Sequence, residues 1–123
     1  MKRKRILVVE DDLYVHKFIQ QVLSEKEYEI TGAADGAAAL ETLEKETFDL
    51  VMLDYMLPKV SGLEVCKKVR SDARTQLLPI ILISALGTAL EGQKEKLGVS
   101  SIIAKPFNIS KMLDEVERIL GRE

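Results

Sequence analysis

The sequence predicts an α/β fold in which five parallel strands alternate with helices that cover both faces of the sheet. Three short runs, 6–9, 50–53 and 80–83, are apolar on consecutive positions, which is typical of strands buried on both faces. A stretch with helical periodicity follows each predicted strand, and this alternation favours right-handed parallel crossovers. The 123 residues suit one domain, and we expect it to span residues 1–123.

Five short runs are the predicted strands, bounded by polar or turn-forming residues. Four of them are dominated by aliphatic residues, whereas 28–31 is more polar and is therefore expected at an edge of the sheet. In chain order the predicted strands are 6–9, 28–31, 50–53, 80–83 and 101–104.

A residue that can cap a helix precedes each predicted helix. The fourth helix is expected to be the least firmly packed, because Gly92 lies in its body and an interior glycine costs about 1 kcal/mol relative to alanine. Gly98 is expected to end it. The predicted capping residues, in chain order, are Asp12, Asp35, Ser61, Thr88 and Asn108.

Composition excludes several functional classes. The 18 basic and 20 acidic residues give a net charge of −2, which argues against a dedicated nucleic-acid binder, and the basic run 2–5 is interpreted as a solvated flank of the first strand. Cys66 is the single cysteine, so no intrachain disulfide can form and a reducing, cytoplasmic location is expected. The longest apolar stretch, 77–86, is too short to span a bilayer.

Polar side chains that can carry chemistry stand at or just after the ends of four predicted strands. Because parallel strands bring these ends to one edge, Asp54 is expected beside the pair Glu10 and Asp11. Three converging carboxylates repel one another, and a hard divalent cation, Mg²⁺ rather than Ca²⁺, would relieve the repulsion. Ser84 and Lys105 are suited to holding the oxygens of an anion such as a phosphoryl group.

These residue types are those of phosphoryl transfer, with Asp54 as the candidate oxygen nucleophile. A glycine-rich phosphate loop and a Cys/His ligand set are both missing from the sequence, so adenine-nucleotide binding is not expected. His16, the single histidine, is interpreted as a surface residue on the first helix rather than a base, a metal ligand or a phosphohistidine.

Four motifs in this order resemble the receiver (CheY-like) domain of bacterial two-component response regulators. They are the Val-Glu-Asp-Asp run at 9–12, the spacing Asp54…Pro58…Gly62, Ile-Ser-Ala at 83–85 and Ala-Lys-Pro-Phe at 104–107. The resemblance covers essentially the whole chain. It implies a flavodoxin-like sheet of order 2-1-3-4-5 and a phosphorelay signalling role, not an enzyme acting on a separate substrate.

The resemblance also implies a role for each matching residue. Asp54 would accept a phosphoryl group from the phosphohistidine of a sensor histidine kinase or phosphotransfer protein. Asp11 would bind Mg²⁺ directly, Glu10 through water, and the backbone carbonyl of Met56 would complete the protein ligands. Lys105 would bind a phosphoryl oxygen.

Further positions would link phosphorylation to the response. The Ser84 hydroxyl would move toward the phosphoryl group, Ala85 would leave room for it, and Pro106 would follow a cis peptide bond. The face built by the fourth helix, the fifth strand and the last helix would then change its affinity for a downstream partner or a fused output domain. The same face could support a weak dimer, with neither direct nucleic-acid binding nor membrane contact.

Two departures from the family pattern give specific expectations. Ile102 stands where the family usually has a tyrosine or phenylalanine that changes rotamer, which leaves open an adaptor that binds partners independently of phosphorylation. Met56 and Leu86 are apolar at positions that tune phosphoryl lifetime, which predicts slow self-dephosphorylation. A phosphatase or other phosphotransferase is disfavoured, since a second aspartate two residues after Asp54 is missing.

Overall fold

The computed structural model describes residues 3–121, without the side chains of residues 87 and 88. Lys2, in the predicted basic flank, and the predicted capping side chain of Thr88 therefore lie outside the described part of the chain. Of the rest of that flank, Arg3 and Lys4 are exposed as expected. Arg5 is different, because its guanidinium pairs with Glu29 and Glu46 and stacks on a phenylalanine ring.

Five strands and six helices alternate along the described residues. The strands are β1 (Arg5–Val9), β2 (Glu29–Ala33), β3 (Leu50–Asp54), β4 (Ile80–Ser84) and β5 (Ser101–Ala104). The helices are α1 (Leu13–Glu25), α2 (Gly36–Lys45), α3 (Gly62–Ser71), α4 (Gly87–Leu90), α5 (Lys94–Leu97) and α6 (Ile109–Leu120), with a 3₁₀ turn at Glu91–Gln93.

All five strands are parallel in the order β2-β1-β3-β4-β5, which confirms the predicted flavodoxin-like topology. The second strand lies at an edge as predicted, but it begins one residue later than 28–31 and continues to Ala33. The two added residues pair with the last residues of β1, Gly32 with Val8 and Ala33 with Val9.

The core has two halves, one on each face of the sheet. Alternate residues of β1, β3 and β4 point to opposite faces, as the pleat of a strand requires. One face packs against α1 and α6, where Ile19, Leu23, Met112 and Val116 are buried. The other packs against α2, α3 and the segment 87–99, and Cys66 lies in this half as a small buried residue. Both β3 and β4 are buried along their whole length.

Four of the five predicted helix caps are formed by the predicted side chains. The carboxylates of Asp12 and Asp35 and the amide oxygen of Asn108 each accept hydrogen bonds from first-turn amides. Ser61 and Glu64 form the reciprocal capping box that the sequence predicts. These caps satisfy amides that otherwise have no partner within the helix.

The predicted fourth helix is not continuous. It is divided into α4, the 3₁₀ turn at Glu91–Gln93 and α5, so the prediction of one helix is wrong. The 3₁₀ turn contains Gly92, whose lack of a side chain lowers helix stability. Gly98 ends α5 in the left-handed conformation, with a φ of 72°, as expected of a C-terminal cap.

Within residues 3–121, none of the helices has the length and apolar character needed to cross a membrane. The longest, α1, has 13 residues, well short of the roughly 20 apolar residues that a transmembrane helix requires.

Candidate functional site

Asp54 ends β3 at the carboxyl edge of the sheet and is only 5 % exposed. Each of its carboxylate oxygens has a partner. Oδ1 accepts a hydrogen bond from the backbone amide of Met56 at 3.0 Å, and Oδ2 accepts one from Nζ of Lys105 at 2.9 Å. These two donors hold the carboxylate in one orientation at the mouth of a buried strand.

Glu10 lies next to Asp54 because β1 and β3 are paired, with Val9 opposite Leu53. It is 2 % exposed, and its Oε2 accepts a hydrogen bond from the Asp12 amide at 3.1 Å. Its Oε1 faces the Lys105 ammonium at 2.9 Å as an ion pair but outside the alignment of a hydrogen bond.

Burial raises the pKa of Glu10, and the neighbouring negative charge of Asp54 raises it further. The Lys105 ammonium and the Asp12 amide oppose this rise but do not cancel it. The fold therefore disfavours an ionised Glu10 until a further positive charge is brought to it.

The single ammonium group of Lys105 contacts both buried carboxylates, those of Asp54 and Glu10. Burial alone would lower its pKa, but the hydrogen bond to Asp54 and the negative charges of Asp54 and Glu10 raise the pKa above the ordinary value. Its backbone amide donates to the Ser84 carbonyl at 2.9 Å, which extends the pairing of β4 with β5 to the site. The side chain is about a quarter exposed, so the ammonium is also accessible to an incoming anion.

One carboxylate oxygen from each of Glu10, Asp11 and Asp54 lies within 4.8 Å of the other two. Asp11 is exposed, so a ligand can enter from its side, while the other two are buried. Hard oxygen donors at this spacing suit a small divalent cation, and Oε1 of Glu10 makes no hydrogen bond that would have to be broken. The residues present therefore fit Mg²⁺.

Ser84 is fully buried at the end of β4, between the strands that carry Asp54 and Lys105. Its Oγ accepts a hydrogen bond from the Leu86 amide at 2.9 Å, so within the described contacts this oxygen is committed to its own loop. Sequence reasoning placed Ser84 at the correct edge but gave no information about this orientation.

The remaining predicted positions surround these groups. The Lys105–Pro106 bond is cis, as expected. Ala85 is exposed beside Lys105 and Pro106, whereas Ile102 is half-buried against the core half that contains α2 and α3. Met56 is 60 % exposed, and its amide, rather than any side-chain group, contacts Asp54.

The loop between β3 and α3 is held against the start of α2. The Val60 carbonyl lies so close to Gly36 that a Cβ there would be 2.2 Å from its oxygen. Lys59, which has a φ of 67°, lies 3.6 Å from the Asp35 carboxylate. The loop that follows Asp54 therefore has a fixed path.

An apolar groove of about 720 Å³ opens beside Lys105, between the start of α1 and the loop after β5. Nearby large apolar side chains are exposed, including Tyr14 at 84 % and Met56 at 60 %. Exposed apolar residues grouped around a polar site are a common mark of a protein-binding surface. We call this surface the apolar collar; the groove within it is lined by Tyr14, Val15, Phe18, Ala85, Lys105, Pro106 and Phe107.

His16 corrects an expectation, because it is half-buried rather than a free surface residue. Its Nδ1 lies 3.0 Å from the Glu10 carbonyl oxygen, and its ring covers Gly32 on β2. The signal was present in the sequence: His16 precedes Ile19 by three residues and Leu23 by seven, so it shares the buried face of α1.

Comparison with known proteins agrees with this geometry. Residues 6–117 match the family model of the response regulator receiver domain. The chain belongs to the receiver-domain family. Its acidic pocket of Glu10, Asp11 and Asp54 is typical of the metal-binding and phosphorylation site of such domains.

The response regulator ArlR of Staphylococcus saprophyticus is 34 % identical to this receiver domain over 120 residues. The match covers 97 % of this chain but 53 % of that protein, so the chain spans about half the length of such a relative. Among solved structures, a protein described as a response regulator from Chloroflexus aurantiacus has a TM-score of 0.92 with 33 % identity, covering 98 % of this chain and 100 % of that one.

A second solved structure is relevant to the metal. The receiver domain of a sensor histidine kinase from Pseudomonas aeruginosa has a TM-score of 0.86 and 27 % identity to this receiver domain, covering 98 % of this chain and all of that one. That structure contains a magnesium ion coordinated in its active-site cleft.

Proposed function

We propose that this chain is a phosphorylation-dependent signalling domain in which Asp54 accepts a phosphoryl group from a phosphohistidine. The observation that carries the proposal is the convergence of Asp54, Glu10 and Asp11 with Lys105, whose ammonium is 2.9 Å from both buried carboxylates. The Asp54 nucleophile, a cation site and an anion-binding ammonium therefore lie close enough together to contact one phosphoryl group.

The chemical step needs few participants. An oxygen of the Asp54 carboxylate attacks phosphorus, an O–P bond forms, and the P–N bond to the donor histidine breaks. The bonding pair returns to the imidazole nitrogen, which takes up a proton from water. Lys105 keeps its proton throughout and binds a phosphoryl oxygen, and the Met56 amide, now 3.0 Å from Oδ1, keeps the acceptor carboxylate oriented.

Glu10, Asp11, Asp54 and the Met56 carbonyl would hold Mg²⁺, which when bound supplies positive charge to the phosphoryl oxygens. Because burial raises the pKa of Glu10, a bound cation would stabilise the ionised form of this carboxylate. Ser84 would release its bond with the Leu86 amide in order to reach the phosphoryl group, and Ala85 would leave it space.

The apolar collar favours a protein as the phosphoryl donor, either a sensor histidine kinase or a phosphotransfer protein. A helix that presents a phosphohistidine could bury its apolar neighbours against Tyr14, Phe18 and Phe107 while the phosphoryl group enters beside Lys105. Burial of such side chains excludes water from the reacting groups.

For the response, we propose the face formed by the segment 87–97, β5 and α6. The short helices of 87–97 are the elements that can rearrange at least cost, and β5 connects directly to Lys105. We also propose that residues 1–123 form one receiver domain, whose output partner is fused to it or separate. The curated relative ArlR is about twice as long as the matched region, which leaves room for a fused partner. The same face would form a weak dimer.

The experiment is an intact-mass measurement after incubation with acetyl phosphate and Mg²⁺. The proposal expects wild type to gain one phosphate and Asp54→Asn to gain none. Asp114→Asn is the matched control, because Asp114 is an exposed aspartate on α6 that does not belong to the acidic cluster. Equal labelling of wild type and Asp54→Asn would refute the proposal.

A second function is favoured by Ile102, which is already half-buried in the core and has no ring to change position. It is an adaptor whose partner affinity does not depend on phosphorylation. Partner binding measured with and without beryllofluoride separates the two functions. A large change in affinity excludes the adaptor, whereas equal affinities exclude the switch.

A further inference from the structure

The imidazole of His16 lies between two backbone positions near the site. On one side Nδ1 is 3.0 Å from the carbonyl oxygen of Glu10. On the other, the ring covers Gly32 so closely that a Cβ on Gly32 would be 2.3 Å from Nε2 and 2.9 Å from Cε1. The ring therefore fills the space between the acidic turn after β1 and the neighbouring strand β2.

The contact with Glu10 fixes the proton on the ring. A carbonyl oxygen only accepts hydrogen bonds, so Nδ1 of His16 must carry the hydrogen that is donated to it. The Nδ1–H tautomer of a neutral ring then leaves Nε2 unprotonated on the side of Gly32. Other residues that reach this position with an N–H in the same place could make the same bond, whereas aliphatic residues could not.

Gly32 has a steric role in this arrangement. It lies within β2, pairs with Val8, and does not have the left-handed backbone that would by itself favour glycine. Its missing side chain is instead what makes room for the ring. One turn therefore depends on two residues that are 16 positions apart in the sequence.

We propose that His16 is a positioning residue that holds the acidic turn 10–12 in its ligand-binding geometry, with Gly32 providing the space for its ring. Other bonds hold the two ends of this turn, since the Glu10 amide donates to the Ala33 carbonyl and Asp12 caps α1. The His16 ring holds the Glu10 carbonyl, directly before the exposed Asp11. Hydrogen bonds to metal-ligand residues from outside the ligand set are a general means of orienting them. The proposal rests on the proposed function in treating this turn as a metal-ligand turn.

The first test does not involve metal. In ¹⁵N NMR spectra of the wild-type protein at about pH 8, where an ordinary histidine is neutral, the His16 ring should show a protonated Nδ1 and an unprotonated Nε2. The opposite tautomer, or rapid averaging between the two, would overturn the assignment of the hydrogen bond.

The second test is a set of variants compared by Mg²⁺ titration and by thermal midpoint. His16→Ala should weaken Mg²⁺ binding about threefold to tenfold, the effect of one lost hydrogen bond. His16→Asn, whose amide nitrogen can take the place of Nδ1, should stay within about twofold of wild type. Equal affinities of His16→Ala and wild type, or equal losses in both variants, would overturn the proposal.

Gly32→Ala approaches the same contact from the other side. It should weaken Mg²⁺ binding when His16 is present, because the new methyl group displaces the ring. In the double variant with His16→Ala it should add almost nothing, since the space is then empty. Full additivity would count against the proposal. If the variants show this pattern but the wild type gains no phosphate from acetyl phosphate, the proposed function is contradicted and the positioning role of His16 is not.

Discussion

Nζ of Lys105 lies 2.9 Å from Oδ2 of Asp54, although the strands that precede these residues are separated by the whole of β4. The same ammonium is 2.9 Å from Oε1 of Glu10, on the strand beyond. Adjacent strands are about 4.8 Å apart, so only a long, flexible side chain can connect them across an intervening strand. The lysine thus acts as the internal counterion of the pocket.

Replacement of Lys105 by methionine should slow phosphorylation by acetyl phosphate about 100-fold, the usual effect of losing one preorganised donor to a developing anion. Mg²⁺ affinity should be unchanged or higher, because the ammonium no longer competes for the two carboxylates. Initial rates of mass gain and a Mg²⁺ titration measure the two effects. Lys67→Met on the exposed face of α3 is the control, and equal rates in the two variants would contradict this role.

Glu10→Gln should raise the thermal midpoint of the metal-free protein. Burial raises the pKa of Glu10 in the folded state, so the stability linked to this group is greatest at acid pH and falls as pH rises through the folded pKa. Above the folded pKa the ionised carboxylate is therefore a net cost to stability, which glutamine removes. Because about 1 kcal/mol corresponds to about 4 °C for a domain of this size, the rise should be a few degrees.

The exposed Glu25→Gln at the end of α1 provides the baseline for this comparison in differential scanning calorimetry. Addition of Mg²⁺ should reverse the order, since wild type gains binding free energy that Glu10→Gln largely lacks. A midpoint for metal-free Glu10→Gln below that of wild type would show that the Lys105 ion pair outweighs burial.

The Lys105 ion pairs should also produce a specific loss of stability in alkali. Their partners raise the pKa of Lys105 in the folded state, so its stabilising effect is complete below the unfolded value of 10.5 and disappears as pH rises through the folded pKa. Urea unfolding should show a constant difference between wild type and Lys105→Met from neutral pH to about pH 9, then a shrinking one. A difference that does not vary up to about pH 11.5 would argue against this ion pair.

Two glycine substitutions should have opposite effects on the free energy of unfolding. Gly36→Ala places a Cβ 2.2 Å from the Val60 carbonyl oxygen and should destabilise by about 1–3 kcal/mol. Gly92→Ala meets nothing within 4 Å and should stabilise by about 1 kcal/mol through helix propensity. Urea titrations of both variants, with m-values compared, test the pair, and a stabilising Gly36→Ala would contradict the close approach.

The acyl phosphate on Asp54 should be long-lived, with a half-life of minutes or more. Hydrolysis needs an oriented water, and the exposed side chains of Met56 and Leu86 have no group that could orient one. Replacement of Met56 by asparagine should shorten the half-life. The measurement is decay of the phosphorylated mass after removal of acetyl phosphate, and a wild-type half-life of seconds that EDTA barely lengthens would oppose this prediction.

Most of the fold and the edge where the site lies could be predicted because they depend on local signals. Consecutive apolar residues identified the buried strands, and the carboxylate that follows one of them, Asp54, marked the edge. Parallel topology placed Glu10 at the same edge, and the strand order implied by the family resemblance placed it beside Asp54, as the pairing of Val9 with Leu53 shows. Capping residues such as Ser61 identified the helix starts, because a capping box is also a local signal.

The errors involve tertiary contacts that the local sequence indicates only in part. The prediction for His16 failed because its half-buried ring packs against the Glu10 carbonyl and Gly32, which both lie outside α1. The end of β2 was missed because glycine and alanine have low strand propensity, and it is the pairing of Gly32 and Ala33 with β1 that extends the strand. The division of 87–97 depends on the balance between Gly92 and a sparse buried face, in which Leu90 and Leu97 are the main contacts.

That division has a thermodynamic consequence. Four-residue helices such as Gly87–Leu90 and Lys94–Leu97 form too few hydrogen bonds to persist in isolation, since nucleation costs more than so short a helix recovers. The population of their helical state depends on the surfaces packed against them, whether from the core or from a partner. The amide hydrogens of this segment should therefore exchange before those of the sheet. A bound partner needs only a small binding free energy to shift the structure of the segment.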